Sequence, residues 1–254
     1  MLDRIREFLR TAENAVCDEA RVIDVGTALL TPSLPLVWSL NALRVEDPDA
    51  DAERLEATAE QYLSAYGHRR LVMHDQQLAA RLAPELAARG WNVDRLLVMV
   101  SRRPAQRLLP DGLAAEADRE LGAAALAAFR REQPFGWQDE AVRQLGEMDA
   151  RFSTRMAARD FVAPAGRPTA ACRLYSDGRT AQVDEVGTLE TARGRGLGSA
   201  VVLAAVAAAG ASGHDLVFLV TNAGDWPQEL YRRLGFDDIG SVYEFLKLPL
   251  GASR

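Results

Sequence analysis

Between a strand-like segment and a helix made largely of Ala and Val, the chain runs Glu190-Thr191-Ala192-Arg193-Gly194-Arg195-Gly196-Leu197-Gly198-Ser199. Three glycines in five positions let the backbone turn tightly and come close to a ligand. The amides that follow open a helix, and a helix N-terminus attracts anions through its unpaired N–H groups and its dipole. Arg193 and Arg195 add full positive charge. A strand, a phosphate-cradling turn and a helix in that order belong to an α/β fold.

The rest of the chain supports mixed α/β organisation. Upstream, 2–12 has helical spacing, 19–30 and 34–45 read as extended, and 49–66 is helical. A short strand at 69–73 and a helix at 78–89 follow, the helix stopped by Gly90, and 93–100 is a strand. Residues 102–112 are polar and aperiodic, with Pro104 and Pro110, and mark a boundary. We therefore read 1–103 and 113–254 as two domains joined by 104–112. In the second, 114–119 is a strand, and 121–131 and 140–158 are helical. Strands at 170–175 and 180–189 flank the turn Asp177-Gly178. After the glycine-rich loop come a helix at 196–211, a strand at 214–221, a helix at 226–234 capped by Asp225, and closing strands at 236–239 and 241–247.

An internal repeat accompanies this order. Gly67-His68 opens a strand that leads to a helix and Gly90-Trp91; Gly213-His214 opens another that leads to a helix and Gly235-Phe236. The glycine anchors are offset by 146 and 145 positions, which favours a duplication. The first copy lacks the glycine-rich loop. Before its helix stands Glu46-Asp47-Pro48-Asp49-Ala50-Asp51, an acidic run that repels phosphate.

Composition narrows the function classes. A net charge of −6 supplies no basic field for nucleic acid and favours a cationic or amine substrate. The longest apolar run, 200–211, is too short to span a membrane. The N-terminus carries Asp3 and Glu7 and does not read as a secretory leader. Cys17 and Cys172 stand far apart and suit unpaired thiols in a reducing cytoplasm. No cluster of Cys and His has metal-ligand spacing, so no metal is expected.

The motif Arg193-Gly194-Arg195-Gly196-Leu197-Gly198 resembles the signature of the GNAT acetyltransferase superfamily. A later family motif is matched by Asn222 and by Leu230-Tyr231-Arg232-Arg233-Leu234-Gly235-Phe236. The spacing from Asn222 to Tyr231 is a residue longer than in common members. The resemblance covers roughly 113–249, and the N-terminal half joins it only through the internal repeat. It implies a twisted mixed sheet flanked by helices, in a tandem whose N-terminal copy is truncated and has lost the cofactor loop.

The resemblance also implies acetyl-coenzyme A as co-substrate. The amides of Arg193, Gly194, Arg195, Gly196, Leu197, Gly198 and Ser199 would hold the pyrophosphate, with Leu197 turned inward to lock the loop. Val186, Gly187 and Thr188 match the edge positions that pair with the pantetheine arm, and Asn222 matches a further cofactor contact. Tyr231 is the candidate general acid for the departing thiolate. Asp184, Glu185 and Glu190 lie where a general base would sit. Strand alternation puts Asp184 and Glu185 on opposite faces, and Glu185 is the choice between them. Phe135 and Trp137 either shape an acceptor pocket or cap the core.

These residues favour an N-acetyltransferase acting by direct attack of a primary amine, borne by a small molecule or a protein. The alternative is a non-catalytic acyl-coenzyme A-binding regulatory module. A dinucleotide-dependent oxidoreductase fits poorly, because the glycine spacing and the Thr221-Asn222 strand end depart from that fingerprint. The two halves can stand in for a dimer within one chain, and a homodimer is left open.

Overall fold

The computed structural model describes residues 1–103 and 112–248, which form two compact units. The first comprises Met1–Leu97, Asn222–Asp225 and the C-terminal stretch from Gly240; the second comprises Val98–Thr221 and Trp226–Ile239. The units are thus interleaved along the chain. Most of the expected linker lies outside the described residues.

The first unit begins with α1 (Leu2–Val16), then β1 (Glu19–Ile23) and β2 (Gly26–Leu30) as a hairpin. β3 (Ala42–Val45), α2 (Ala52–Leu63), β4 (Arg69–Met73), α3 (Gln76–Ala88) and β5 (Asn92–Ser101) follow. Its strands order as β1-β2-β3-β4-β11, where β11 is Phe236–Lys247 and contributes its later residues. β3 and β4 pair in parallel from Leu43↔Leu71 to Val45↔Met73, because α2 carries the chain back across the sheet. Leu43, Leu55, Leu71, Leu82 and Phe245 belong to one buried cluster between the sheet and these helices.

Residues 31–41 depart from the expected extended segment. The buried Asn41 side chain accepts from Thr31 N at 2.7 Å and donates to the Leu34 and Val37 carbonyls at 3.0 Å. These bonds replace a strand ladder, and the chain makes a 3-10 turn at Trp38–Leu40.

The second unit runs β6 (Ala115–Ala117), α4 (Arg119–Arg131), α5 (Asp139–Arg155), β7 (Ala157–Ala163), β8 (Ala170–Ser176) and β9 (Thr180–Thr188). α6 (Leu197–Ala211), β10 (Leu216–Asn222) and α7 (Pro227–Arg233) complete it, with the first residues of β11. The strand order is β10-β9-β8-β7-β6, antiparallel except for the parallel pair β9–β10. The succession β9-α6-β10-α7-β11 repeats β3-α2-β4-α3-β5, as the glycine anchors implied.

Three sequence expectations change here. The helix expected over 140–158 ends at Arg155, and β7 takes over. Its alternation is disguised because Asp160 points into the interior, against Arg173. The two closing strands are one, β11. The N-cap of α7 is Trp226, not Asp225, and Pro227 occupies the first helical position, where a missing N–H costs nothing.

Candidate active site

The glycine-rich loop closes a short 3-10 turn, Glu190–Ala192, and opens α6. Gly194 and Gly196 have φ of 76° and 78°, a region that side chains rarely enter, so glycine is what the turn requires. Gly196 is the N-cap of α6 and no side chain caps the helix. The first amides of a helix have no acceptor within it. Leu197 is buried as expected, and Gly198 is small for a different reason: a Cβ there would stand 3.0 Å from Thr188 Oγ1. Arg193 Nε donates to the Thr188 carbonyl at 3.3 Å and Arg195 Nη2 to that of Thr191 at 3.2 Å, while both side chains remain exposed. An uncapped helix end, two glycine-only turns and two exposed guanidinium groups together fit a pyrophosphate.

Upstream, β9 is irregular where the site residues lie. Its parallel ladder with β10 covers Thr180, Ala181 and Gln182 only, whereas β9 continues to Thr188. Among the described residues the β10-facing edge beyond Gln182, which includes Val186, Gly187 and Thr188, has no further ladder partner. On the other side, Ala171 pairs Gly187 and Arg173 pairs Asp184, so Glu185 and Val186 together oppose the single Cys172. This is a β-bulge, and Glu185 carries its strain with φ of 53°. A left-handed conformation costs an ordinary residue about 1–2 kcal/mol. Gly187 has its own cause: a Cβ there would lie 2.4 Å from the Phe129 ring, so what approaches closely is a side chain of α4.

The bulge overturns the expectation that Asp184 and Glu185 face opposite ways. Asp184 sits opposite Arg173 in register, on the face covered by α4 and α5, and Glu185 Oε2 reaches Arg130 Nη2 of α4 at 2.8 Å. Asp184 Oδ1 accepts from the Glu185 amide at 2.9 Å. Burial raises the Asp184 carboxyl above the ordinary range, against the pull of that amide. Burial likewise pushes Glu185 up, Arg130 pulls it down, and Asp184 and Asp149 push it up again, to about 7. A carboxyl that titrates near neutrality suits a general base. Glu190 does not join it: that residue's amide donates to Glu132 at 2.8 Å, at the end of α4.

Behind Glu185 lies a run of buried charge that sequence reasoning missed. Arg130, 4% exposed, grips Asp149 with Nη1 and Nη2 at 2.8 and 2.9 Å. Arg173, 1% exposed, grips Asp160 at 2.6 and 3.0 Å and stands 3.1 Å from Asp149. Gly122 lets α4 lie directly on Asp160, where a Cβ would collide at 2.4 Å. One signal was available: Gly122, Leu126 and Arg130 share a helix face, so the arginine falls on the side that Leu126 buries.

Tyr231 lies on α7, 7% exposed, its ring edge-on to Phe236 at 6.1 Å. Phe135 and Trp137 do not cap the core; Trp137 is 79% exposed. Asn222 belongs to the first unit rather than to the loop's unit. It donates to Asp94 Oδ1 at 3.3 Å and accepts from Gly224 N at 2.7 Å. Among the described residues no helix is long and apolar enough to cross a membrane.

Comparison with known proteins bears on the family and the fold. Residues 123–236 match the family described as Acetyltransferase (GNAT) family. No curated protein matches the chain. Among solved structures, a functionally unknown conserved protein from Staphylococcus epidermidis is similar over 92% of this chain and 96% of its own, with 16% identity and a TM-score of 0.69. A GCN5-related N-acetyltransferase from Kribbella flavida is similar over 98% and 96%, with 21% identity and a TM-score of 0.63. An acetyltransferase from the GNAT family of Colwellia psychrerythraea covers 97% of each chain at 14% identity and a TM-score of 0.52. At such identities the likeness is one of fold, and it extends over the N-terminal half as well.

Proposed function

We propose that the GNAT acetyltransferase domain carried by residues 123–236 moves an acetyl group from acetyl-coenzyme A to a primary amine, on a small molecule or a protein. Acetyl-coenzyme A supplies the acetyl group as an activated thioester. The amides and arginines of 193–199 hold its pyrophosphate, and the β10-facing edge at Val186, Gly187 and Thr188 receives the pantetheine arm as an added strand would. Glu185 Oε1 or Oε2 takes the proton that an amine must lose before it attacks, and Tyr231 Oη gives one to the leaving sulfur. The observation that carries this reading is the strained bulge at Glu185. An L-residue held in a left-handed conformation, with its carboxyl tuned near neutral, is the arrangement expected where chemistry repays strain. Cys17 and Cys172 are free thiols, which suits a reducing cytoplasm.

The test is thiol release from acetyl-coenzyme A across a panel of primary amines. Glu185→Gln and Tyr231→Phe should each lower kcat by about 10²–10⁴-fold, with coenzyme A affinity unchanged. Full turnover in both variants would remove the proposed roles. Tight coenzyme A binding with no turnover on any amine would favour the regulatory module instead.

A further inference from the structure

Five charged side chains alternate in sign across five elements of the second unit. They run Asp160 (β7), Arg173 (β8), Asp149 (α5), Arg130 (α4) and Glu185 (β9). The series holds three carboxylates against two guanidinium groups, so one anion is in surplus. The first four side chains are at most 7% exposed and Glu185 is 23% exposed, so the surplus falls at the accessible end. The junction is Arg130 Nη2. One of its protons is committed to Asp149 Oδ1, 2.9 Å away, and the same nitrogen stands 2.8 Å from Glu185 Oε2. A guanidinium is a rigid plane, so once Asp149 holds one edge of the fork, the direction of the remaining N–H is fixed.

We propose that Arg130 is the positioning residue for Glu185, with Asp149 holding the guanidinium so that it aims the bulge carboxylate. The proposal rests on the reading of Glu185 as the base and deepens it. Every charged group facing Glu185 then has a direction of effect. Arg130 from α4 favours the carboxylate, while Arg173 from β8 is paired with Asp149 and with Asp160 of β7. Asp149 from α5 and Asp184 from the same strand favour the protonated acid. Losing Arg130 must therefore move the Glu185 titration up, and losing Asp149 must move it down. The signs report charge; Arg130→Lys, which keeps the charge and loses the planar fork, reports aim.

The experiment follows the side-chain carboxyl ¹³C resonance of Glu185 in the full chain with labelled glutamate, assigned by its loss in Glu185→Gln. Arg130→Gln is expected to raise the midpoint by about 1–3 pH units and Asp149→Asn to lower it by about one. Arg130→Lys keeps the charge but not the planar fork. It should leave the midpoint within about one unit while turnover falls about 10- to 100-fold at unchanged KM for acetyl-coenzyme A. Shifts of the same sign in Arg130→Gln and Asp149→Asn, or none in either, overturn the proposal. Should Arg130→Gln fail to fold by circular dichroism, Asp149→Asn and Arg130→Lys decide: an unmoved midpoint in the first, or undiminished turnover in the second, is fatal. If the midpoints move as expected yet Glu185→Gln retains full turnover, the base reading falls and the positioning stands. If Glu185→Gln is inactive and the midpoints stay put, only the positioning falls.

Discussion

In the first unit, the helix that follows the parallel strand β3 is capped by the chain itself. Asp51 accepts from Arg54 N at 2.8 Å, and Asp47 and Asp24 close on the Arg54 guanidinium at 2.7 and 3.1 Å. In the second unit, the corresponding helix α6 begins at Gly196 with no side-chain cap, and the charges beside it are Arg193 and Arg195. Both helices answer the same electrostatic demand, since the N-terminus of any helix favours an anion. One copy meets it with a carboxylate of its own. The other has no side-chain cap, and only there, among the described residues, is the strand before the helix bulged and strained.

The largest expected effect comes from making the second copy like the first. Gly196→Asp places a carboxylate at the N-cap, and Asp is among the residues that tolerate a left-handed conformation, so the fold should survive. A like charge set against phosphate costs several kcal/mol, so coenzyme A affinity should fall by about 100-fold or more. Calorimetric titration measures it; unchanged affinity would mean that the phosphates do not sit at this helix.

A second contrast lies in how the units respond to pH. In the first, His68 is buried, donates to the Asn41 carbonyl at 2.8 Å and stacks on Trp38. Burial holds it down to about 4, and burial with Arg44 and Arg6 does the same for His74. From the ordinary 6.5 down to about 4 these two histidines bind more protons in the unfolded chain, so the stability they contribute is present above that window and is lost on acidification; Glu13, raised by burial in the same unit, works in the opposite sense and reduces the slope. In the second unit Glu185 is raised from 4.5 to about 7, and Asp184 is raised as well. Here the folded state binds more protons, so the stability these groups contribute falls as pH rises from about 4.5 to about 7, a window that overlaps the histidine one. Native-state hydrogen exchange, corrected for intrinsic rates between about pH 5 and about pH 7, should show opposite slopes for amides of the two units. Parallel slopes would break the contrast.

The glycine turn and the helix it opens were legible in the sequence because glycine spacing and a following helix are local properties. The internal repeat was legible for the same reason, as glycine anchors at matched offsets survive divergence. What escaped depends on partners distant in the chain. Strand alternation misplaced Asp184 against Glu185, because a bulge opposite Cys172 is a matter of register with β8 and leaves no mark at Glu185 itself. β7 escaped because Asp160 is buried by Arg173, a charge pair that mimics a solvent-facing position. Arg130 and Asp149 drew no reading from the sequence, because each is explained by the other, 19 positions away. The resemblance sets Asn222 at a family position, yet its bonds are to Asp94 and Gly224, and no local pattern foretold them.

The smallest predicted effect separates the two components of the first copy's cap. Asp51→Ala removes both the acceptor and the charge and should cost about 1 kcal/mol of stability. Asp51→Asn keeps an acceptor of similar capping strength and removes only the charge, which is worth about 0.3–1 kcal/mol at an exposed helix end. Urea denaturation of the two variants compares them, and equal costs would assign the whole effect to charge. Neither variant should create a coenzyme A site in the first unit, because Asp47 and Asp49 remain beside the helix and no arginine-bearing glycine loop precedes it. A second binding event in Asp51→Ala would show that a single carboxylate is all that separates the two copies.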